Sequence, residues 1–133
     1  MKPALHEFIA LHAGRKMLWG ENDCCLVASD WIARVTGFDP MADLRGSYVG
    51  WKQAARVWRA LGGVENAVST RLDARFRRVP LSWVERGDVC LVKTHNRAST
   101  CAIVDTCGVW LPTKAGYKLI RGLNQITTFW RIE

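Results

Sequence analysis

The chain has 133 residues, 49% of them hydrophobic and 23% charged, and carries a formal net charge of +7. That length fits one domain with its own core, and the composition excludes a disordered or collagen-like chain. No apolar run approaches the ~20 residues of a membrane-spanning helix, and the segment from Met1 to Gly14 holds His6, Glu7 and His12 and lacks the apolar stretch of a secretory signal.

The first half reads as helical. Leu5, Phe8, Ile9 and His12 share one helical face, with Gly14 as the stop. After a loop from Arg15 to Asn22, a second helix starts near Asp23, capped by Asn22 or Asp23. Its apolar stripe is Cys24, Val27, Ala28, Trp31, Ile32 and Val35, and Gly37 ends it. A third helix covers Trp51 to Leu61, with Trp51, Ala54, Ala55, Trp58 and Leu61 on one side. Gly62-Gly63 stops it, and a short fourth helix runs from Val64 to Leu72. These spacings place Trp31, Trp51 and Trp58 in the core.

The second half reads as strands rich in β-branched and aromatic residues: Asp88 to Lys93, Thr100 to Asp105, Val109 to Leu111, Tyr117 to Ile120 and Ile126 to Ile132. Turn residues separate them. Helices followed by an antiparallel sheet make an α+β layout in one domain, residues 1–133.

The five cysteines are Cys24, Cys25, Cys90, Cys101 and Cys107. The odd count, with no C-x-x-C pair and no histidine at zinc-finger spacing, points away from a disulfide scaffold or a metal site, and no cofactor is expected. A reducing cytosol is the expected place of synthesis. Cys90 and Cys101 lie in apolar strand runs and read as packed residues, as Cys25 and Cys107 do. The charge comes mostly from 13 Arg against 6 Lys, densest at Arg71, Arg75, Arg77 and Arg78. Those four arginines form either a solvated face or a docking face. A protein or an anionic polymer ranks above nucleic acid as partner, because only Phe76 supplies an interleaved aromatic. Trp19, Trp83 and Trp110 fall in or near loops, where tryptophan serves as an interface anchor.

The densest chemistry lies in Trp19-Gly20-Glu21-Asn22-Asp23-Cys24-Cys25. Cys24 occupies the first turn of an amphipathic helix, where free backbone N–H groups and the helix dipole favour a thiolate, the nucleophilic form. Spacing alone equally allows Cys24 to be the first core residue of the stripe.

Trp19-Gly20…Asp23-Cys24, followed by a helix, resembles the nucleophile motif of the NlpC-type papain-like cysteine peptidases, which cut bacterial cell-wall stem peptides. Arg86-Gly87-Asp88-Val89-Cys90-Leu91-Val92 is similar to the Gly-Asp strand that opens their sheet. Within this superfamily the chain looks like a phage and prophage branch of small tail-assembly or tail-tip proteins. Those begin with a Trp-Gly…Asp-Cys-Cys helix and end in an aromatic-Arg-Ile tail, here Trp130-Arg131-Ile132. The resemblance implies a papain-like fold, Cys24 as nucleophile, tail-hub or tail-tip partners, and a place in the virion after synthesis in the bacterial cytoplasm.

One departure bears on activity. The family's histidine should start the strand after the Gly-Asp strand, and Thr100 stands there. The orienting residue should lie near Trp110 to Pro112, an apolar stretch. A thiolate needs a base that accepts and returns its proton. His6 and His12 read as surface or packed residues of the first helix. His95, in the turn before Thr100, is a candidate base or a polar turn residue. The expectation is a tail structural or assembly protein with an incomplete peptidase site. The alternative is a peptidase acting on peptidoglycan stems during phage entry. A third reading, a nucleic-acid module built on Arg71, Arg75, Arg77 and Arg78, ranks last.

Overall fold

The computed structural model describes residues 4–93, 99–113, 116–122 and 126–133. Four helices come first: α1 Leu5–His12, α2 Cys24–Thr36, α3 Gly50–Ala60 and α4 Val64–Asp73. Six strands follow: β1 Arg78–Val79, β2 Val89–Lys93, β3 Ser99–Asp105, β4 Gly108–Thr113, β5 Gly116–Arg121 and β6 Ile126–Trp130. They form one antiparallel sheet in the order β1-β6-β2-β3-β4-β5. The α+β layout is therefore as expected, and most boundaries fall within two residues. β1 was not anticipated, because two residues carry no readable period.

Local chemistry explains α2, the helix that presents Cys24. Asp23 is its N-cap, with the carboxylate accepting from the Leu26 N–H at 3.1 Å. Gly37 closes the helix in the left-handed region at φ 79°, a conformation that costs glycine little. Cys25, Leu26, Val27, Ala28, Trp31 and Ile32 are buried, and α2 packs across β3 and β4.

The sheet has two unlike faces. Val89, Leu91, Cys101, Ile103 and Trp130 join the helices in the main core. Cys90, Val92, Ala102, Val104, Val109 and Phe129 point the other way into a smaller cluster made by the sheet and its flanks. Alternation along β2 and β3 produces this division, since successive strand side chains leave opposite faces. Opposite neighbours such as Leu91 and Cys101 share a face.

Two expectations need correction. Trp51 is 63% exposed rather than core. α3 buries only Ala54 and Trp58, so Trp51 in its first turn stands at the rim of an unfilled cleft. Cys107 is exposed rather than packed, because it sits in the tight β3–β4 turn, where side chains face water.

The Gly-Asp and Trp-Arg-Ile motifs meet inside the fold. Asp88 is fully buried and accepts from the Glu85 N–H at 2.8 Å and from Arg131 Nε at 2.9 Å. Arg131 also donates to the Trp83 carbonyl at 2.6 Å. The Trp31 indole N–H donates to the Gly87 carbonyl at 2.8 Å, tying α2 to the start of β2. The Trp130 indole N–H donates to Asp73 at 2.9 Å, tying β6 to the end of α4.

Candidate functional site

Cys24 lies at the wall of an open apolar cleft of about 400 Å³. The loop before α2 contributes Trp19, α3 contributes Trp51, Ala54, Ala55 and Trp58, and the start of β3 contributes Ser99 and Thr100. The Trp-Gly…Asp-Cys motif builds this wall. Gly20 has φ 88°, and a Cβ there would overlap the Tyr48 carbonyl oxygen, so only glycine fits the close approach. The Gly20 N–H donates to Asp23 at 3.0 Å, and the Tyr48 hydroxyl donates to the same carboxylate oxygen at 2.5 Å. Asp23 is thus consumed by three donors and is 1% exposed. It holds the loop, the helix start and the Tyr48 segment together.

The thiols form a line into the interior. Cys24 Sγ is 3.8 Å from Cys25 Sγ, which is 3.3 Å from Cys101 Sγ on β3. The Cys25 thiol, burial and the Asp23 carboxylate all push the Cys24 thiol well above the ordinary thiol range; the Thr100 side chain opposes them. Cys101 and burial push Cys25 up in the same way. The thiolate expected from a helix N-terminus is not what this environment favours. The hydrogen bond with Cys25 and burial weigh most against the charged form, and the N-cap carboxylate of Asp23 adds a smaller push in the same direction.

Thr100 lines the Cys24 cleft, and a hydroxyl is no general base near neutral pH. Among the described residues no imidazole lines the cleft. His6 is exposed on α1. His12 is buried against Phe8, bonds through Nδ1 to the Phe8 carbonyl at 2.9 Å, and lies 3.8 Å from Asp30 through Nε2. His95 lies outside the described residues. Asp105 ends β3, where it accepts from the Trp110 indole at 2.6 Å and from Arg86 at 2.7 Å. Among the described residues no cluster of histidine, cysteine and carboxylate is arranged to hold a metal ion.

The partner-binding candidates scatter. Arg71 makes a two-pronged pair with Asp43, Arg78 makes another with Asp73, Arg77 lies 3.6 Å from Glu133, and Arg75 stacks over Phe38 at 4.4 Å. Each of the four thus has a local partner, and most of their charge is matched nearby. Trp83 is 64% exposed, Trp19 walls the cleft, and Trp110 is half-buried with its N–H committed to Asp105. Sequence reasoning missed Lys52, Arg56 and Arg59, the exposed cations of the helix that walls the cleft, of which Arg59 borders the adjoining depression. Their signal was present: α3 carries three cations and no acid.

A family model described as a domain of unknown function (DUF6950) matches residues 1–132. No curated protein and no solved structure matches the chain.

Proposed function

We propose that this chain, which belongs to the DUF6950 family, is a phage tail protein of papain-like fold. It works at the distal tail or tail tip by holding neighbouring subunits, and its cysteine site does not hydrolyse peptides. One observation carries the inactive-site half: the Cys25 thiol, burial and the Asp23 carboxylate favour a protonated Cys24 thiol against the opposing Thr100 side chain, and no described imidazole lines the cleft to take its proton. The assembly half is supported by the resemblance of Trp19-Gly20…Asp23-Cys24-Cys25 and Trp130-Arg131-Ile132 to that tail branch, and by apolar side chains left open around the cleft.

The chain would be made in the bacterial cytoplasm and carried in the virion. No described helix is long and apolar enough to cross a membrane. Mixing the protein with purified tail-hub subunits, followed by size-exclusion with light scattering, tests the assembly role. A stable complex that survives Cys24→Ala is the expected result; a chain that stays alone with every tail subunit overturns it.

The second reading, a peptidase acting on peptidoglycan stem peptides, is favoured by the position of Cys24 at an open cleft in the first turn of α2. It requires His95 or another chain's base, with backbone N–H groups near Cys24 stabilising the oxyanion. Cell-wall fragments incubated with the protein should stay intact. Cleavage that disappears on Cys24→Ala would replace the first reading with the second.

A further inference from the structure

Helix α3 carries three cations and no acid, with Lys52 Nζ lying 5.8 Å over the Trp51 ring. Lys52, Arg56 and Arg59 are all exposed and spaced i, i+4, i+7, so they line one edge of the helix. Among the described residues none of them makes an ion pair. Arg45, Arg71, Arg78, Arg86 and Arg131 by contrast each bond a carboxylate. The adjacent edge of α3, through Trp51, Ala54, Ala55 and Trp58, walls the Cys24 cleft. A second depression shares Ala55, Trp58, Val64 and Ser99 with that cleft and ends at Arg59 and Glu65. The two form one groove, apolar at the Cys24 end and polar at the α3–α4 turn.

The apolar end is also where large side chains face water. Trp51 is 63% exposed, Val49 just before it 76%, and Leu18, next to Trp19, 58%. Exposed apolar groups rimmed by charge mark contact surfaces.

We infer that this groove binds an extended acidic segment of a partner protein. A large apolar side chain of that segment enters the Cys24 cleft, and its carboxylates lie along Lys52, Arg56 and Arg59. Lys52 and Arg56 are separated by a rise of ~6 Å along the helix, close to the ~6.7 Å between alternate residues of an extended strand; Arg59 follows after only ~4.5 Å, so its long side chain must reach to meet a third carboxylate. The partner is a segment with acids at alternate positions beside a leucine-sized residue. Glu65 closes the groove at the α3–α4 turn and so limits the acidic stretch to the Lys52–Arg59 span; the apolar cleft beside it favours a peptide side chain over a phosphate backbone.

The inference rests on the binding half of the reading above and names its surface. An isolated peptide keeps the two separable. The probe is a fluorescein-labelled peptide with a central leucine and glutamates at alternate positions, followed by fluorescence anisotropy. Its glutamine counterpart and a single-stranded DNA oligonucleotide serve as controls.

The acidic peptide should bind, more weakly as salt rises. Arg56→Glu with Arg59→Glu should weaken it roughly tenfold, about 1.4 kcal/mol. Ala55→Trp, which fills the groove, should block it. Circular dichroism on both variants confirms that they fold. The inference fails if the acidic peptide does not bind, if the glutamine peptide binds equally, if the charge-reversed variant binds as before, or if DNA binds more tightly through the same cations. Tail-subunit binding without peptide binding removes this inference alone. Peptide binding without a tail complex removes the tail reading alone.

Discussion

The Asp88–Arg131 junction and the Cys24 cleft are both built from residues that look like motifs, yet they use polar groups in opposite ways. At the junction a buried carboxylate and a buried guanidinium satisfy each other, and backbone groups at Glu85 and Trp83 complete the set. Arg131 also borders a shallow depression with Ser82, Trp83, Val84 and Glu85, but its guanidinium is already committed to Asp88 and the Trp83 carbonyl. At the cleft the carboxylate of Asp23 is equally consumed, but the thiol beside it faces an open apolar space, and among the described residues the cations on α3 have no carboxylate partner. A motif residue whose bonds are all internal holds the fold; one left beside open space is available to a partner.

The largest test of this contrast is Asp88→Ala. It leaves Arg131 charged and buried without its main partner, which costs about 3–5 kcal/mol and should show as a large drop in urea midpoint. A change under about 1 kcal/mol would mean that solvent reaches the junction. Asp23→Ala should come next, at about 2–4 kcal/mol, because it removes the α2 cap and leaves the buried Tyr48 hydroxyl unpaired. Cys24→Ala in the same loop should cost less than either.

The buried acids of the cleft region give a smaller, pH-dependent effect. Folding raises the Cys24, Cys25, Cys90 and Cys101 thiols above their ordinary value of 9.0 and raises Tyr48 as well. Above that value the unfolded chain loses thiol protons first, so it binds fewer protons than the folded chain. The stability is fully present below about pH 9 and falls as pH climbs toward the folded values. A urea midpoint that stays level or rises in this range would contradict the packing of the thiols.

The mildest probe is labelling with a maleimide. Exposed Cys107 should react first and half-buried Cys24 more slowly. Cys25, Cys90 and Cys101 should react only on unfolding. Fast reaction at Cys24 would indicate a thiolate and favour the peptidase reading.

Much of the architecture was readable from local patterns. The α2 stripe from Cys24 to Val35 and the Gly37 stop are short-range features, and the helix forms where they predict. The strands separate at their turn residues for the same reason. Trp51 was misread because periodicity assigns a face without saying whether another element covers it. The four arginines from Arg71 to Arg78 looked like one patch in sequence, but Arg71 reaches Asp43, 28 residues away, and Arg75 reaches Phe38.

What the sequence determined by itself was the α+β order and the capped helix that carries Cys24. These depend on residues close together in the chain, or on motifs that retain their spacing. Only the tertiary structure decided which charges are neutralised, that Cys101 reaches Cys25 from 76 residues away, and that the α3 cations make no ion pair among the described residues. Long-range pairing depends on where the chain returns, and charge and apolar surface are used up there in a way that no local pattern records.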